Sequence, residues 1–270
     1  MAEVIMSEPA EASSSMSRRD HLLQTFEAYR AELDADNERR ERLIIISRTI
    51  TQLSKKLIFH LHRGATAPNP GLRDKNIKEA KGKEREIATH FVKVRDELRV
   101  ERAESYWRWS RQVSPGLEEY IEGLSFLHYL DKRELVTLDE VQKTLSDAET
   151  GEPLVMVTPE DYVLGMSDLT GELMRYATNA LSTGDHETPL EVCDFVRSVK
   201  TRFDGISPSM LFKLAKKQEE TTRSLEKIEK VCYALRLRLV EYADRPEILK
   251  QMAKRALEDA SQNDGGKKDD

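Results

Sequence analysis

Cysteine is nearly missing from this chain. The two that occur in 270 residues, Cys193 and Cys232, have neither the CxxC spacing of a zinc site nor the density of a disulfide-stapled secreted domain, and both read as small buried hydrophobes. No apolar run approaches the roughly 20 residues that span a bilayer, and the N-terminus has no basic-then-apolar leader, so the expected protein is soluble and intracellular, with no membrane contact. Alternation of apolar and polar residues with a period of two never lasts beyond a few residues, which argues against a β fold. A P-loop, a dinucleotide fingerprint, an HExxH pair and Ser-His-Asp or Cys-His spacing are all missing, leaving nucleotide hydrolysis and acyl transfer without machinery. A basic excess is lacking too. Lys and Arg number 43 against 49 Asp and Glu, a net charge of −6, which argues against a free-standing nucleic-acid binder unless charge is segregated by helix or supplied by a partner subunit.

What is present is helix-period sequence. With 39% hydrophobic residues the chain can bury a core, as one large helical domain or two small ones. SEPAEASSSMS and SQNDGGKKDD carry no periodicity, so residues 1–17 are expected to form a disordered tail, 18–245 a helical domain, and 246–270 an extension with a disordered end. From Phe26 to Leu61, apolar residues recur at three- and four-residue steps and predict one helix over 20–63, about 65 Å long. The Pro and Gly of GATAPNPG end it. Helices are also predicted over 74–111, which holds the aromatic cluster YWRW, and over 117–132 after a break at SPG. Thr137 and Glu140 form a capping box for a short helix, and Thr158 with Pro159 starts another over 159–182. TPLE repeats that signal for 188–203, with Thr188 as cap and Glu191 closing a capping box. The last helix, 208–243, keeps a heptad from Leu211 to Leu239. The expected fold is all-α, an elongated bundle of about six or seven antiparallel helices.

Two pairs of acids stand out. Asp168 and Glu172 lie four apart in GMSDLTGELMRY, on one helical face where like charges repel by a few tenths of a kcal/mol, and Gly171 between them weakens the helix by about 1 kcal/mol relative to alanine. At 100° per residue they share a narrow strip with Gly165, Arg175 and Asn179, flanked by an apolar arc of Met166, Leu169, Leu173, Tyr176 and Ala180. Glu119 and Glu122 share a face with Phe126 in GLEEYIEGLSFLHYL. Carboxylate pairs from two antiparallel helices can converge on one Mg²⁺ or Mn²⁺ ion, which would polarise a phosphate oxygen and activate water for phosphodiester cleavage. Such pairs are also common on solvated helix surfaces, and close helix packing would equally select Gly165 and Gly171.

The blocks RRERLIIISRTITQLSKKLIFHLHR, EEYIEGLSFLHYL, VTPEDYVLGMSDLTGELMRYATNAL, GDHETPLEVCDFVR and SLEKIEKVCYALRLRLVEY together resemble the translin-associated factor X family, in order and spacing, over roughly residues 20–243. The resemblance implies an all-α subunit that pairs with translin in a closed hetero-octameric shell, the activator of the RNA-induced silencing complex. It also implies a Mg²⁺-dependent endoribonuclease acting on single-stranded RNA inside that shell, with single-stranded DNA as a second ligand. The family's catalytic acids lie in its EYxE and DLTGE motifs, which match Glu119, Glu122, Asp168 and Glu172 here. Translin itself lacks this set, so the acids favour the factor X branch. Two departures are a short loop before VTPEDY and an N-terminal tail without the basic cluster that serves nuclear import in animal members. The cytoplasm is thus the first expected location and the nucleus the second.

Among basic residues, Arg39, Arg40, Arg42, Lys55, Lys56 and Arg63 are candidates for the RNA backbone, or else solvated helix faces and ion-pair partners. Trp107 and Trp109 are two apart and so face differently, one toward the core and one as an interface anchor or base-stacking platform. A role as a non-catalytic nucleic-acid-binding scaffold for translin stands as the alternative function.

Overall fold

The structure, a computed structural model, describes residues 18–67, 69–99 and 105–241. Its helices are α1 (Arg18–Ala65), α2 (Pro70–Arg99), α3 (Ser105–Lys132), α4 (Leu138–Thr144), α5 (Pro159–Ser182), α6 (Thr188–Phe203) and α7 (Leu214–Glu241). Among the described residues the only extended pairing is an isolated bridge between Ser146 and Pro153 in the loop before α5. The expected all-α class and helix number are what is found. The tails predicted over 1–17 and 246–270 lie outside the described residues.

The chain divides into two units at Arg42 and Leu43, within α1. The first is a polar helix whose apolar side chains, Leu22, Phe26, Tyr29 and Leu33 among them, are exposed. Its charges pair along the helix, as in Arg30 with Asp34 at 3.7 Å.

The second unit holds the core. Leu43, Ile50, Leu57 and Leu61 of α1 join Phe91 of α2, Leu117, Tyr120, Ile121 and Phe126 of α3, Leu169 and Leu173 of α5, Val192 and Val196 of α6, and Ile228 of α7 in one buried cluster. α3 packs chiefly on α5 and α2, while α5, α6 and α7 pack on one another. The predicted apolar arc of α5 is buried throughout, from Met166 to Ala180. The α7 heptad is an intramolecular seam: Leu214, Thr221, Leu225, Ile228, Cys232 and Leu235 are buried, and the Thr170 hydroxyl of α5 donates to Thr221 Oγ1 at 3.4 Å.

Four local expectations need correction. The YWRW cluster belongs to α3 and not to the helix predicted over 74–111. SPG does not break the chain, because α3 runs through Pro115. Proline interrupts the helical ladder. The next amide, Gly116 N, donates to Ser47 Oγ of α1 at 3.1 Å, and a Cβ at 116 would lie 2.9 Å from the Ser47 carbonyl oxygen. The break signal is thus absorbed by a close interhelical approach. α6 is not capped by Thr188. Asp185 does that work, accepting from the Thr188 amide at 3.0 Å and its hydroxyl at 2.7 Å, because a carboxylate three residues upstream offers two oxygens. Lastly, Pro208–Met210 form a 3-10 turn, and α7 begins only at Leu214. The Thr137 capping box and the Thr158 cap with Pro159 stand as predicted.

Candidate acidic site between α3 and α5

Glu119 and Glu122 rise from the middle of α3, and Asp168 and Glu172 from the middle of α5. What brings the two helices together beside these acids is Gly165. A Cβ there would sit 2.7 Å from the Glu118 carbonyl oxygen and 2.8 Å from Ile121 Cβ, so only glycine allows this approach, one turn before Asp168. Gly171 is different. A Cβ at 171 would meet nothing within 4 Å, so packing accounts for Gly165 and leaves Gly171 as open space between Asp168 and Glu172.

Three of the four acids are held by cationic side chains. Lys55 of α1 lies 3.6 Å from Glu119 Oε2, Lys217 of α7 donates to Asp168 Oδ1, and His62 Nε2 of α1 meets Glu172 Oε2 at 2.5 Å. Arg175 also donates to Glu172 Oε2, at 3.2 Å. The His62 ring is set against Phe126, with centroids 4.7 Å apart. Glu122 has no hydrogen bond or ion pair among the described residues.

The electrostatics follow that pattern. Burial, reinforced by the charges of Asp168, Glu119 and Glu172, pushes the Glu122 carboxyl up to about 8, with only a weak opposing pull from Lys217. Burial also raises Glu119, partly countered by Lys55. For Glu172 burial is outweighed by the His62 bond and by Arg175, and its carboxyl lies below the usual range. Burial would lower the Lys217 ammonium, but its bond to Asp168 prevails and raises it. Both predicted pairs therefore act on one another across the α3/α5 interface.

As a donor set, four carboxylates suit a hard divalent cation, and an uncompensated Glu122 among three other acids is a group such a cation would relieve. Among the described residues, however, no three His, Cys, Asp or Glu side chains are placed to hold a metal ion. Lys55, His62, Arg175 and Lys217 are the basic side chains paired with the acids, and rearrangement of these side chains would have to accompany metal binding.

The basic candidates are divided between the two units. Arg40 pairs with Glu41 at 2.9 Å and Arg42 with Glu38 at 3.8 Å, in the first unit with half-buried Arg39. Lys55 belongs to the acidic site, while Lys56 and Arg63 are exposed in the second unit. Trp109 is buried and Trp107 is 65% exposed, the division their spacing predicts. Sequence reasoning missed His62 and Lys217 as partners of the acids. His62 is 110 residues from Glu172, and no local spacing announces it.

Residues 38–239 match the profile described as Translin family. Translin-associated protein X of Pongo abelii is 35% identical over 235 residues, spanning 80% of this chain and 79% of that protein. Translin of Gallus gallus is 28% identical over 223 residues, spanning 79% of this chain and 91% of its own. A solved AfC3PO complex with duplex RNA has the same fold, with a TM-score of 0.58 at 20% identity over 78% of this chain and 95% of that one. The all-helical architecture, the match across three quarters of its length and the identity to translin-associated protein X together show that this chain belongs to the translin family.

Proposed function

We propose that this chain is the Mg²⁺-dependent endoribonuclease subunit of a hetero-oligomer with translin, cleaving single-stranded RNA. The observation that carries this reading is the meeting of two acidic pairs on facing helices, with Glu122 left without a hydrogen bond or ion pair among the described residues. Glu119, Glu122, Asp168 and Glu172 would hold Mg²⁺ or Mn²⁺. When bound, the ion supplies polarisation of a phosphate oxygen and a water nucleophile. His62 fixes the Glu172 carboxylate by its bond, with its ring set at a tilt against Phe126. Lys217, released from Asp168, is a cation positioned for a phosphate, and the space beside Gly171 is room for the RNA backbone. Exposed Lys56 and Arg63 are the candidate backbone ligands of the second unit, and single-stranded DNA is a second ligand for the same charges. The kinship to translin-associated protein X and the RNA-bound AfC3PO fold support this reading.

The test is cleavage of a labelled single-stranded RNA by the full chain assembled with translin, in Mg²⁺ or EDTA, beside Glu122→Ala and Asp168→Ala. Cutting should disappear in EDTA and in both variants while assembly persists. Cleavage that survives both substitutions removes the assignment. One observation favours the second reading, a non-catalytic nucleic-acid-binding partner of translin: basic side chains already pair with three of the acids, and no metal-holding group is formed among the described residues. That reading predicts RNA binding without magnesium-dependent cutting.

A further inference from the structure

Cys193 of α6 and Cys232 of α7, 39 positions apart in sequence, face one another across the interface of these helices. Both thiols are free and buried, yet both line one solvent-open cleft of about 280 Å³, with Arg197, Glu229 and Arg236 on its walls. The helices that carry them pack on one another. Their surroundings differ. Arg197 Nη2 donates to Cys193 Sγ at 3.4 Å, and that guanidinium is fixed by Glu229 at 2.9 Å and Asp194 at 2.8 Å. Cys232 instead donates its proton to the Pro189 carbonyl at 3.2 Å. Two thiols on separate helices, one with a clamped cationic donor and an opening to water, are more than packing requires.

We propose that Cys193 and Cys232 form a redox-active pair, oxidised by a hydroperoxide to an intramolecular disulfide that staples α6 to α7. The Cys193 sulfur attacks the terminal peroxide oxygen, breaking the O–O bond. This gives Cys193 sulfenic acid, and the thiol proton leaves with the departing alcohol or water. The Cys232 sulfur then attacks the Cys193 sulfur, expelling the hydroxyl as water with the Cys232 proton. Two thiols and one hydroperoxide give one disulfide, one water and one alcohol or second water. Arg197 faces the sulfur that reacts first and stabilises charge developing there. Burial and neighbouring Cys193 push the Cys232 thiol up to about 12, which makes it a poor first nucleophile. Reduction by a dithiol reverses the change. None of this rests on the nuclease reading.

The test is intact-mass and non-reducing peptide mapping of the full chain after stoichiometric hydrogen peroxide, with free thiols alkylated. The expected result is loss of both alkylatable thiols, a mass lower by two hydrogens, one crosslinked peptide joining Cys193 to Cys232, and full recovery with dithiothreitol. In Cys232→Ser a dimedone adduct should appear at Cys193, and Arg197→Gln should slow oxidation several-fold. Thiols that stay alkylatable, or a disulfide that forms only between two chains, overturn the proposal. The wild-type mapping decides the matter even if a cysteine variant fails to fold.

Discussion

Replacing Glu122 by glutamine tests whether burial, together with the neighbouring acids, disfavours its charge in the folded chain. The Glu122 carboxyl stands at about 8 in the folded protein, against an ordinary glutamate value of 4.5. Below pH 4.5 it is protonated folded or unfolded, and it has no bearing on stability. Between pH 4.5 and 8 the unfolded chain ionises while the folded chain does not, so folding loses about 1.4 kcal/mol per pH unit. The loss is about 3 kcal/mol at pH 7, and it stops growing above pH 8. Glutamine keeps the shape and never ionises. Glu122→Gln should therefore match the wild type near pH 4.5 and raise its melting temperature by roughly 6 to 12 °C at pH 7, at 2 to 4 °C per kcal/mol for a domain of this size. Thermal unfolding followed by circular dichroism at several pH values is the assay. A variant that is no more stable at pH 7 than the wild type, or whose gain is the same at pH 4.5, would refute the claim that burial and the other acids hold Glu122 protonated. Under the proposed function, saturating Mg²⁺ should narrow the gap by stabilising the wild type alone.

The two α5 glycines should behave oppositely. Gly165→Ala drives a methyl against the Glu118 carbonyl oxygen and should destabilise by about 1 to 3 kcal/mol, whereas Gly171→Ala meets open space and should stabilise the helix by up to about 1 kcal/mol. Urea unfolding separates them. If the space beside Gly171 is for substrate, the same substitution should impair cleavage despite its gain in stability. Tyr120→Phe strips Glu84 of a 2.5 Å hydrogen bond and Thr144 of a 3.0 Å one, leaving a carboxyl already raised by burial. The urea midpoint should fall by the equivalent of about 1 to 3 kcal/mol with an unchanged slope. Lys56→Gln with Arg63→Gln should flatten the slope of log affinity for single-stranded RNA against log salt by about 0.7 for each phosphate that the pair neutralised. An unchanged slope would remove these two residues from the RNA path.

Helix periodicity made most of this legible. Asp168 and Glu172 fall on a strip beside a buried arc because an α-helix repeats every 3.6 residues, and the Thr137 and Thr158 starts are local hydrogen-bond chemistry written in three or four positions. Partners brought from afar were not legible. Lys55, read as an RNA-backbone ligand or else a solvated or ion-paired side chain, is paired with Glu119, while His62 and Lys217 reach the acids only once α1 and α7 are packed. Pro115 misled for the same reason: its break is compensated by Ser47, 69 residues away from Gly116. The cysteines, read singly as hydrophobes, acquire chemistry only because α6 lies on α7.

The central claim is that the four acids form one cation site, and manganese binding tests it most directly. Mn²⁺ titration of the full chain assembled with translin, followed by electron paramagnetic resonance, should reveal a saturable site that Mg²⁺ competes for and that Asp168→Ala and Glu122→Ala each abolish. Saturable binding that survives both substitutions, or no saturable binding in the intact assembly, would contradict the account.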